Sequence, residues 1–305
     1  MIPQIDELLE LRHRAHAIGL GVRHRVTSSL AGLYGSVFRG RGMDFEENRE
    51  YREGDEFRYI DWRVTARKGT PHLKVFREER ERPVMLCVDV GAHMRFGTRG
   101  TFKAVQAARA AALLGWAAAA NKDRVGALLF GDPARRLEFF CANRSRSAFW
   151  RMLQGLARPR HGGHGRPQED LMEALLRADR VAPTGGLMFV IAHLDLDANA
   201  LRPALGRLSQ RHEVVLVAVD DPADRELPDM GRVVFLDADG REVEVDTADE
   251  GGRQRYQAAW EARRLALREV CKRLGIGLLP VATDGDVEAA LADGLKYARR
   301  PQRRR

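Results

Sequence analysis

The sequence has few cysteines and no long apolar run. Its three cysteines, Cys87, Cys141 and Cys271, are far apart and each lies in an apolar pattern. We therefore expect reduced, buried thiols, without a disulfide framework or a zinc-binding cysteine cluster. The longest stretch without a formal charge, residues 181–194, contains a proline and two glycines, and it is shorter than the roughly 18–20 apolar residues of a membrane span. The N-terminus shows no basic region followed by an apolar core, and we expect a cytoplasmic protein.

Net charge is also missing from most of the chain. The 305 residues include 51 Lys and Arg against 43 Asp and Glu, a formal charge of +8. Residues 1–41 hold six arginines and three acids, and residues 299–305 hold five arginines and no acid, so residues 42–298 are neutral. We expect no specific nucleic-acid binding. Binding of a polyanion or a membrane surface through the Arg-rich ends is one alternative.

Motifs for nucleotide binding and covalent catalysis are absent as well. No Gly-x-Gly-x-x-Gly turn follows the first apolar segment, residues 84–90, and no Gly-x-x-x-x-Gly-Lys-Ser/Thr loop occurs. No serine lies in a nucleophile elbow, and no cysteine shares a motif with a histidine. We expect a non-enzymatic protein that uses no cofactor.

From residue 84 onward, apolar segments alternate with helical patterns. Fully apolar strands separated by helices indicate a parallel sheet that is covered on both faces. In such a sheet, ligands bind outside the carboxyl ends of the strands, so Asp89, at the end of the first strand, indicates where a site should lie. The predicted strands are 84–90, 124–130, 136–140, 187–192, 214–219, 233–236, 242–245 and 276–280, and the predicted helices are 102–121, 145–157, 168–179, 199–210, 250–274 and 285–298.

The N-terminal third has a different pattern. Its apolar spacing predicts a helix to about residue 18, followed by a glycine-rich basic stretch. Residues 59–62 and 72–76 are short apolar runs among dense charge, which predicts half-buried strands. We therefore divide the chain into an N-terminal helix and basic linker at 1–36, a β-rich extension at 37–82, an α/β domain at 83–298 and an Arg-rich tail at 299–305.

The most specific pattern lies in the extension, where aromatic residues recur among acids and arginines. This mixture favours a network of Arg–carboxylate pairs packed on rings, and a partner-docking surface is the alternative. The residues that carry the pattern are Arg49, Tyr51, Gly54, Asp55, Asp61, Trp62, Arg63 and Arg67.

This pattern, with Val88 and Asp89 behind it, resembles the signature of the domain-of-unknown-function 58 family. Proteins of that family resemble von Willebrand factor A domains with an added N-terminal β-rich segment. The resemblance therefore implies a Rossmann-like, von Willebrand factor A-type doubly wound sheet that carries such an extension. Family genes commonly lie beside those of MoxR-type AAA+ ATPases and of von Willebrand A proteins in bacteria. This implies partners of those kinds and a chaperone-like adaptor role in assembly or maturation of other proteins.

The same resemblance implies a metal site that this sequence has altered. A von Willebrand A domain binds Mg²⁺ through Asp-x-Ser-x-Ser after its first strand, a threonine from a later loop and a later aspartate. Here Gly91 and His93 replace both serines behind Asp89, no threonine occurs between residues 101 and 184, and His193 stands at the later aspartate position. Because Mg²⁺ requires oxygen ligands, we expect a degenerate metal-ion-dependent adhesion site without a metal.

Two of these departures are histidines, which leaves an alternative open. Asp89, His93 and His193, with Asp195, offer the imidazole and carboxylate ligands that Zn²⁺ or Ni²⁺ accepts. In the other interpretation, these side chains hydrogen-bond to one another or to the backbone and bind no ion.

Overall fold

The computed structural model describes residues 2–20, 43–52, 57, 60–78, 82–132, 134–160, 166–236 and 241–298. These residues belong to two units, one formed by residues 1–20 with 82–305 and the other by residues 21–81. The Arg-rich tail, most of the predicted basic linker, and the signature residues Gly54 and Asp55 lie outside the described residues.

Helices and strands follow one another along the chain much as the sequence predicts. Their bounds are α1 (Ile5–Glu10), β1 (Met43–Glu50), α2 (Trp62–Lys68), β2 (His72–Glu78), β3 (Pro83–Asp89), α3 (Lys103–Ala120), β4 (Arg124–Phe130), β5 (Leu137–Asn143), α4 (Arg146–Ala157), α5 (Pro167–Val181), β6 (Leu187–Ala192), α6 (Ala198–Arg211), β7 (Glu213–Asp220), α7 (Pro222–Arg225), β8 (Arg232–Leu236), β9 (Glu242–Asp246), α8 (Glu250–Leu274), β10 (Gly277–Ala282) and α9 (Val287–Ala298).

The larger unit is built on a six-stranded sheet with the order β10-β7-β6-β3-β4-β5. All neighbours are parallel except β5, which pairs antiparallel with β4 at one edge. The chain starts in the middle at β3, extends to one side through β4, and then crosses to β6 and extends to the other side. This is the doubly wound order, so the predicted fold class is confirmed, and the switch point lies between β3 and β6.

Helices cover both faces of this sheet, as the wholly apolar strands require. Every residue of β3 is buried, and its successive side chains enter opposite cores. Leu86 belongs to the core that includes residues of α3, α4 and α9, and Cys87 belongs to the core that includes residues of α5, α6 and α8. The two cores hold the strand ends in place, so the side chains at the carboxyl edge stand on a rigid base.

The N-terminal residues pack against α3 within the larger unit. Leu8 is fully buried, and the indole nitrogen of Trp116 on α3 donates to its carbonyl oxygen at 2.9 Å. Farther along, Asn121 donates to the carbonyl oxygen of Leu20 at 2.9 Å. The predicted helix is shorter than expected, because α1 ends at Glu10 and two 3₁₀ turns follow it.

The smaller unit contains an antiparallel pair, β1 with β2. The strand that we predicted at residues 59–62 is wrong, because Trp62 begins the helix α2. The carboxylate of Asp61 caps this helix by accepting from the backbone N–H groups of Arg63 and Val64, and Gly69 ends it with a φ of +75°. An aspartate and a glycine at these positions are the usual start and stop signals of a helix.

The cysteines differ in their surroundings. Cys87 and Cys271 are buried, as predicted, whereas Cys141 is exposed because it lies on the edge strand β5. Burial raises the pKa of Cys87 to about 12 and that of Cys271 to about 11, so neither thiol ionises near neutral pH. Among the described residues, no helix combines the length and apolarity needed to cross a membrane.

Candidate functional site

Polar side chains gather where the central strands end. Asp89 is the last residue of β3, His193 directly follows β6, and Asp220 is the last residue of β7. Because these three strands are adjacent and parallel, their carboxyl ends share one edge at the switch point of the sheet. This is where a doubly wound protein binds its ligands, and we call it the carboxyl edge.

Asp89 and His93 form a hydrogen-bonded pair. Asp89 is 2% exposed, one of its carboxylate oxygens accepts the Gly91 N–H at 2.9 Å, and the other lies 2.8 Å from Nε2 of His93. Burial by itself lowers the pKa of His93, but the charge and hydrogen bond of Asp89 outweigh it and leave this pKa above its usual value. The other ring nitrogen, Nδ1, is buried and has no hydrogen-bond partner among the described residues.

Gly91 is small because the His93 ring lies against it. A Cβ atom at Gly91 would come within 2.7 Å of Cε1 and 2.9 Å of Nδ1 of that ring. The ring could swing aside only by breaking its bond to Asp89. The two departures from the Asp-x-Ser-x-Ser pattern are therefore linked, since the histidine occupies the space that a serine side chain would need.

His193 belongs to a second cluster, which includes a lysine that sequence reasoning missed. Its Nδ1 lies 3.2 Å from the carbonyl oxygen of Val219, 3.5 Å from a carboxylate oxygen of Asp220 and 3.5 Å from Nζ of Lys103. Lys103 Nζ in turn lies 2.7 Å from Asp224. The ammonium therefore sits between an imidazole and a carboxylate.

Lys103 is an unusual residue for its position. It is the first residue of α3, and the positive end of a helix dipole disfavours a cation there. It is nevertheless 3% exposed. Two contacts compensate: the carboxylate of Asp224 and the ring of Phe96, whose centroid lies 5.0 Å from Nζ. A lysine that opens an apolar, alanine-rich helix is the signal in the sequence that could have identified it.

Asp220 has a permanent cation of its own. Arg264 on α8 donates to it at 2.5 Å and stacks on Trp260, with 5.0 Å from the guanidinium carbon to the ring centroid. Burial raises the pKa of Asp220, but the bonds from His193 and Arg264 outweigh it, and the net pKa is lower than usual. The carboxylate is therefore held ionised by partners within the chain.

Two further acids near this edge are paired with basic side chains in the same way, whereas buried Asp221 accepts from the hydroxyl groups of Thr98 and Thr283. Asp195, which the sequence placed with the histidines, instead accepts two hydrogen bonds from the guanidinium of Arg263, at 2.6 and 2.9 Å. Asp132, just after β4, lies 3.0 Å from Arg160. Five carboxylates at or beside this edge thus each have a basic side chain as partner: Asp89, Asp132, Asp195, Asp220 and Asp224.

The donors do not fit the Mg²⁺ site that the resemblance implies. Both oxygens of Asp89 are already engaged, Gly91 has no side-chain oxygen, and His93 and His193 offer nitrogen where Mg²⁺ requires oxygen. One further group has ligand atoms within 4.8 Å of one another, namely His193, Asp220 and Asp224. Its two carboxylates are the ones that Lys103 and Arg264 neutralise.

The signature residues lie in the smaller unit, and several are exposed. Trp62 is 69% and Phe57 is 67% exposed, and the ring of Phe57 stacks on that of Tyr51 with centroids 5.1 Å apart. Arg63 and Arg67 are exposed on α2. Arg49 donates from its guanidinium to the carbonyl oxygen of Glu50 at 3.1 Å. The rings of Tyr51 and Phe57 are therefore stacked on each other, while Trp62 projects into solvent.

A family model described as "Protein of unknown function DUF58" matches residues 47–266, well over half of the sequence. The chain belongs to this family. The match includes the signature, the carboxyl edge and most of α8, so the residues of the candidate site lie within the part that defines the family.

Mycobacterial relatives are similar to this DUF58 chain over most of its length. Uncharacterized proteins of Mycobacterium bovis and Mycobacterium tuberculosis are each 31% identical over 268 residues, covering 88% of this chain and 83% of theirs. Among solved structures, the von Willebrand A domain of SpRpn10 covers 72% of this chain and 95% of its own at 13% identity, with a TM-score of 0.35. The match to an uncharacterized membrane spanning protein from Vibrio fischeri covers 73% of this chain and 100% of the other at 15% identity, with a TM-score of 0.22.

Proposed function

We propose that this DUF58 protein is a non-enzymatic interaction protein of the cytoplasm that binds a MoxR-type AAA+ ATPase. In this proposal it acts as an adaptor in the assembly or maturation of other proteins, and von Willebrand A proteins are further partners. The observation that carries the proposal is the exposure of Trp62 within the family signature.

Trp62 has the properties of an interface anchor. Asp61 and Gly69 fix the ends of its helix, so the side chain is presented from an ordered element. Tryptophan and arginine are the residues that most often dominate the binding energy of interfaces, and Arg63 follows Trp62 directly. Arg67 lies one helical turn after Arg63, on the same face. This combination of one large ring and two cations fits a partner surface that has an apolar pocket beside acidic groups.

The charge pairing at the carboxyl edge supports partner binding that needs no metal ion. A bound cation can balance the charge of clustered carboxylates, but here each of the five named acids has a basic side chain of the protein as its partner. The buried ammonium of Lys103 provides the positive charge from inside the protein. We therefore propose that the degenerate site stabilises the fold at the switch point and that partner binding requires no ion there.

The direct experiment is a binding assay with a MoxR-type AAA+ ATPase from the same organism. We expect association of the two purified proteins that depends on ATP. Loss of an interface tryptophan costs about 2 kcal/mol or more, so Trp62→Ala should weaken binding roughly 30-fold. Trp150→Ala is the matched control, because Trp150 is also exposed, at 40%, but lies on α4. Absence of nucleotide-dependent association, or equal binding by both variants, would contradict the proposal.

One observation favours a second candidate function, metal binding by His93. Its Nδ1 is buried without a partner among the described residues, while its Nε2 is bonded to Asp89. A histidine that ligates a metal commonly has a carboxylate on its other nitrogen, and Zn²⁺ accepts imidazole ligands. Metal analysis of the purified proteins tests this candidate. If His93 binds zinc, the wild type should contain zinc and His93→Ala should not. His13→Ala, a change at an exposed histidine, should still contain zinc.

A further inference from the structure

The ribbon formed by β8 and β9 is a separate two-stranded sheet. Its register pairs Val233 with Val245 and Phe235 with Val243. Because side chains alternate between the two faces of a strand, these four apolar side chains share one face. None of the four belongs to either core, and Val243 is 44% exposed. A ribbon of two strands is only marginally stable by itself, and additional strands stabilise its apolar face.

The outer edge of β8 presents backbone groups that β9 does not use. The backbone N–H of Thr247 donates to the carbonyl oxygen of Gly231 at 2.8 Å, next to the first pair of the ribbon. Hydrogen-bonded pairs alternate along an antiparallel ribbon, so Val233 and Phe235 direct their backbone groups toward β9. Val234 directs its N–H and C=O groups away from β9, and it is 59% exposed. No other strand pairs with β8 in the part of the chain that the structure describes.

Other strand edges have features that oppose pairing. On β9, Glu242, Glu244 and Asp246 alternate with valines, so a second β9 would place acids opposite acids. In the six-stranded sheet, the edge strand β10 contains Pro280, which lacks the N–H that a neighbouring strand would need. The other edge strand, β5, has an irregular register against β4, as a bulge produces. By contrast, β8 has no acid, no proline and no shift of register.

The one charge on β8 does not oppose pairing. Arg232 lies 4.0 Å from Glu244 and 4.0 Å from Asp246, both on its own β9. Its charge is therefore compensated within the ribbon. If two β8 strands run antiparallel about Val234, the two arginines lie at opposite ends of the pair, and no like charges meet at its centre.

We propose that β8 pairs antiparallel with β8 of a second copy of this chain, about a two-fold axis at Val234. The two ribbons then form one four-stranded sheet with the order β9-β8-β8-β9, and its outer edges are the acidic β9 strands, which oppose further pairing. The apolar face doubles from four side chains to eight. Because the same strand is used by both copies, the interface is closed and the assembly ends at a dimer. This surface differs from that of Trp62, and the inference does not rest on the proposed ATPase partner.

The test measures the mass of the full chain by sedimentation equilibrium. With rising concentration, the wild type should reach twice the 34.3 kDa of one chain. Val234→Lys should weaken the dimer about 10-fold or more, because two cations would face each other at the axis. Leu265→Lys is the matched control, since Leu265 is also 59% exposed but lies on α8, and it should leave the dimer unchanged.

A mixture of two charge variants decides whether Val234 lies at the axis. Val234→Glu should weaken the dimer as Val234→Lys does, but an equimolar mixture of the two should form dimers again, because opposite charges then face each other. This recovery requires both variants to be folded. A wild type that stays monomeric at about 100 µM, equal dimerisation of Val234→Lys and Leu265→Lys, or a mixture that stays monomeric would each overturn the proposal. The assay contains no ATPase, so its failure and failure of the Trp62 interface are distinguishable.

Discussion

The ammonium of Lys103 lies 2.7 Å from a carboxylate oxygen of Asp224, and side-chain exposure is only 3% and 12% for the two residues. Both charges have left water, which costs several kcal/mol for each ion unless the partner is present. Asp224 also accepts the backbone N–H of Asp221 at 2.6 Å, so the pair joins the start of α3 to the short helix α7.

We predict that Lys103→Met destabilises the protein by roughly 3–5 kcal/mol, because it leaves the Asp224 carboxylate buried without its cation. Urea unfolding measures the change. The double variant Lys103→Met with Asp224→Asn should lose less unfolding free energy than Lys103→Met alone, because it leaves no unpaired buried carboxylate. Lys272→Met, at an exposed position on α8, is the control, and a loss no larger than in this control would show that the pair does not stabilise the fold.

Restoring a serine at Gly91 should destabilise the chain rather than rebuild a metal site. The new Cβ would press on the His93 ring and break its bond to Asp89, which costs about 1–3 kcal/mol. In the double variant Gly91→Ser with His93→Ser the crowding disappears, so part of this loss should be recovered. Thermal unfolding of the three proteins checks the prediction, and equal stability of Gly91→Ser and wild type would refute the close packing described here.

The pair of Asp89 and His93 should make stability depend on pH. The pKa of His93 is above its usual value of 6.5 in the folded protein, so folding favours the protonated ring. The stabilisation from the protonated His93 ring is fully present below the pKa that His93 has in the unfolded chain. It is lost as pH rises through the pKa that His93 has in the folded protein. His93→Gln should therefore cost more unfolding free energy at about pH 5.5 than at about pH 8.5, and a cost that grows with pH would contradict this direction.

The N-terminal helix should contribute strongly to the stability of the larger unit. Leu8 is fully buried against α3, so Leu8→Ala should cost about 2–5 kcal/mol in urea unfolding. Leu265→Ala removes the same atoms from a side chain that is 59% exposed, and its effect should stay within about 0.5 kcal/mol. Similar losses for both variants would mean that the N-terminal segment does not pack as described.

Local pattern was enough to predict most of the larger unit. Apolar strands such as β3 and β6 are buried on both faces, so their pattern follows directly from their position, and Asp89 at the end of β3 located the carboxyl edge. The start of α2 was missed because aromatic residues suggested a strand, although Asp61 and Gly69 carried the cap signals.

The partners within the site could not be predicted in the same way. Lys103 and Asp224 are 121 residues apart, and Asp220 and Arg264 are 44 apart, so no local spacing connects them. Asp195 shows the opposite problem. It lies two positions after His193, yet its side chain pairs with Arg263 on α8 rather than with the histidines.

Our central claim is that basic groups of the protein pair with the five named acids of the carboxyl edge, which therefore needs no metal. Isothermal titration of the wild type and of Lys103→Met with Mg²⁺ and with Zn²⁺ tests it most directly. We predict flat heats for the wild type with both ions, and saturable Zn²⁺ binding for Lys103→Met, in which His193, Asp220 and Asp224 remain without the ammonium. Saturable binding of either ion by the wild type would contradict the account and favour the metal-binding alternative.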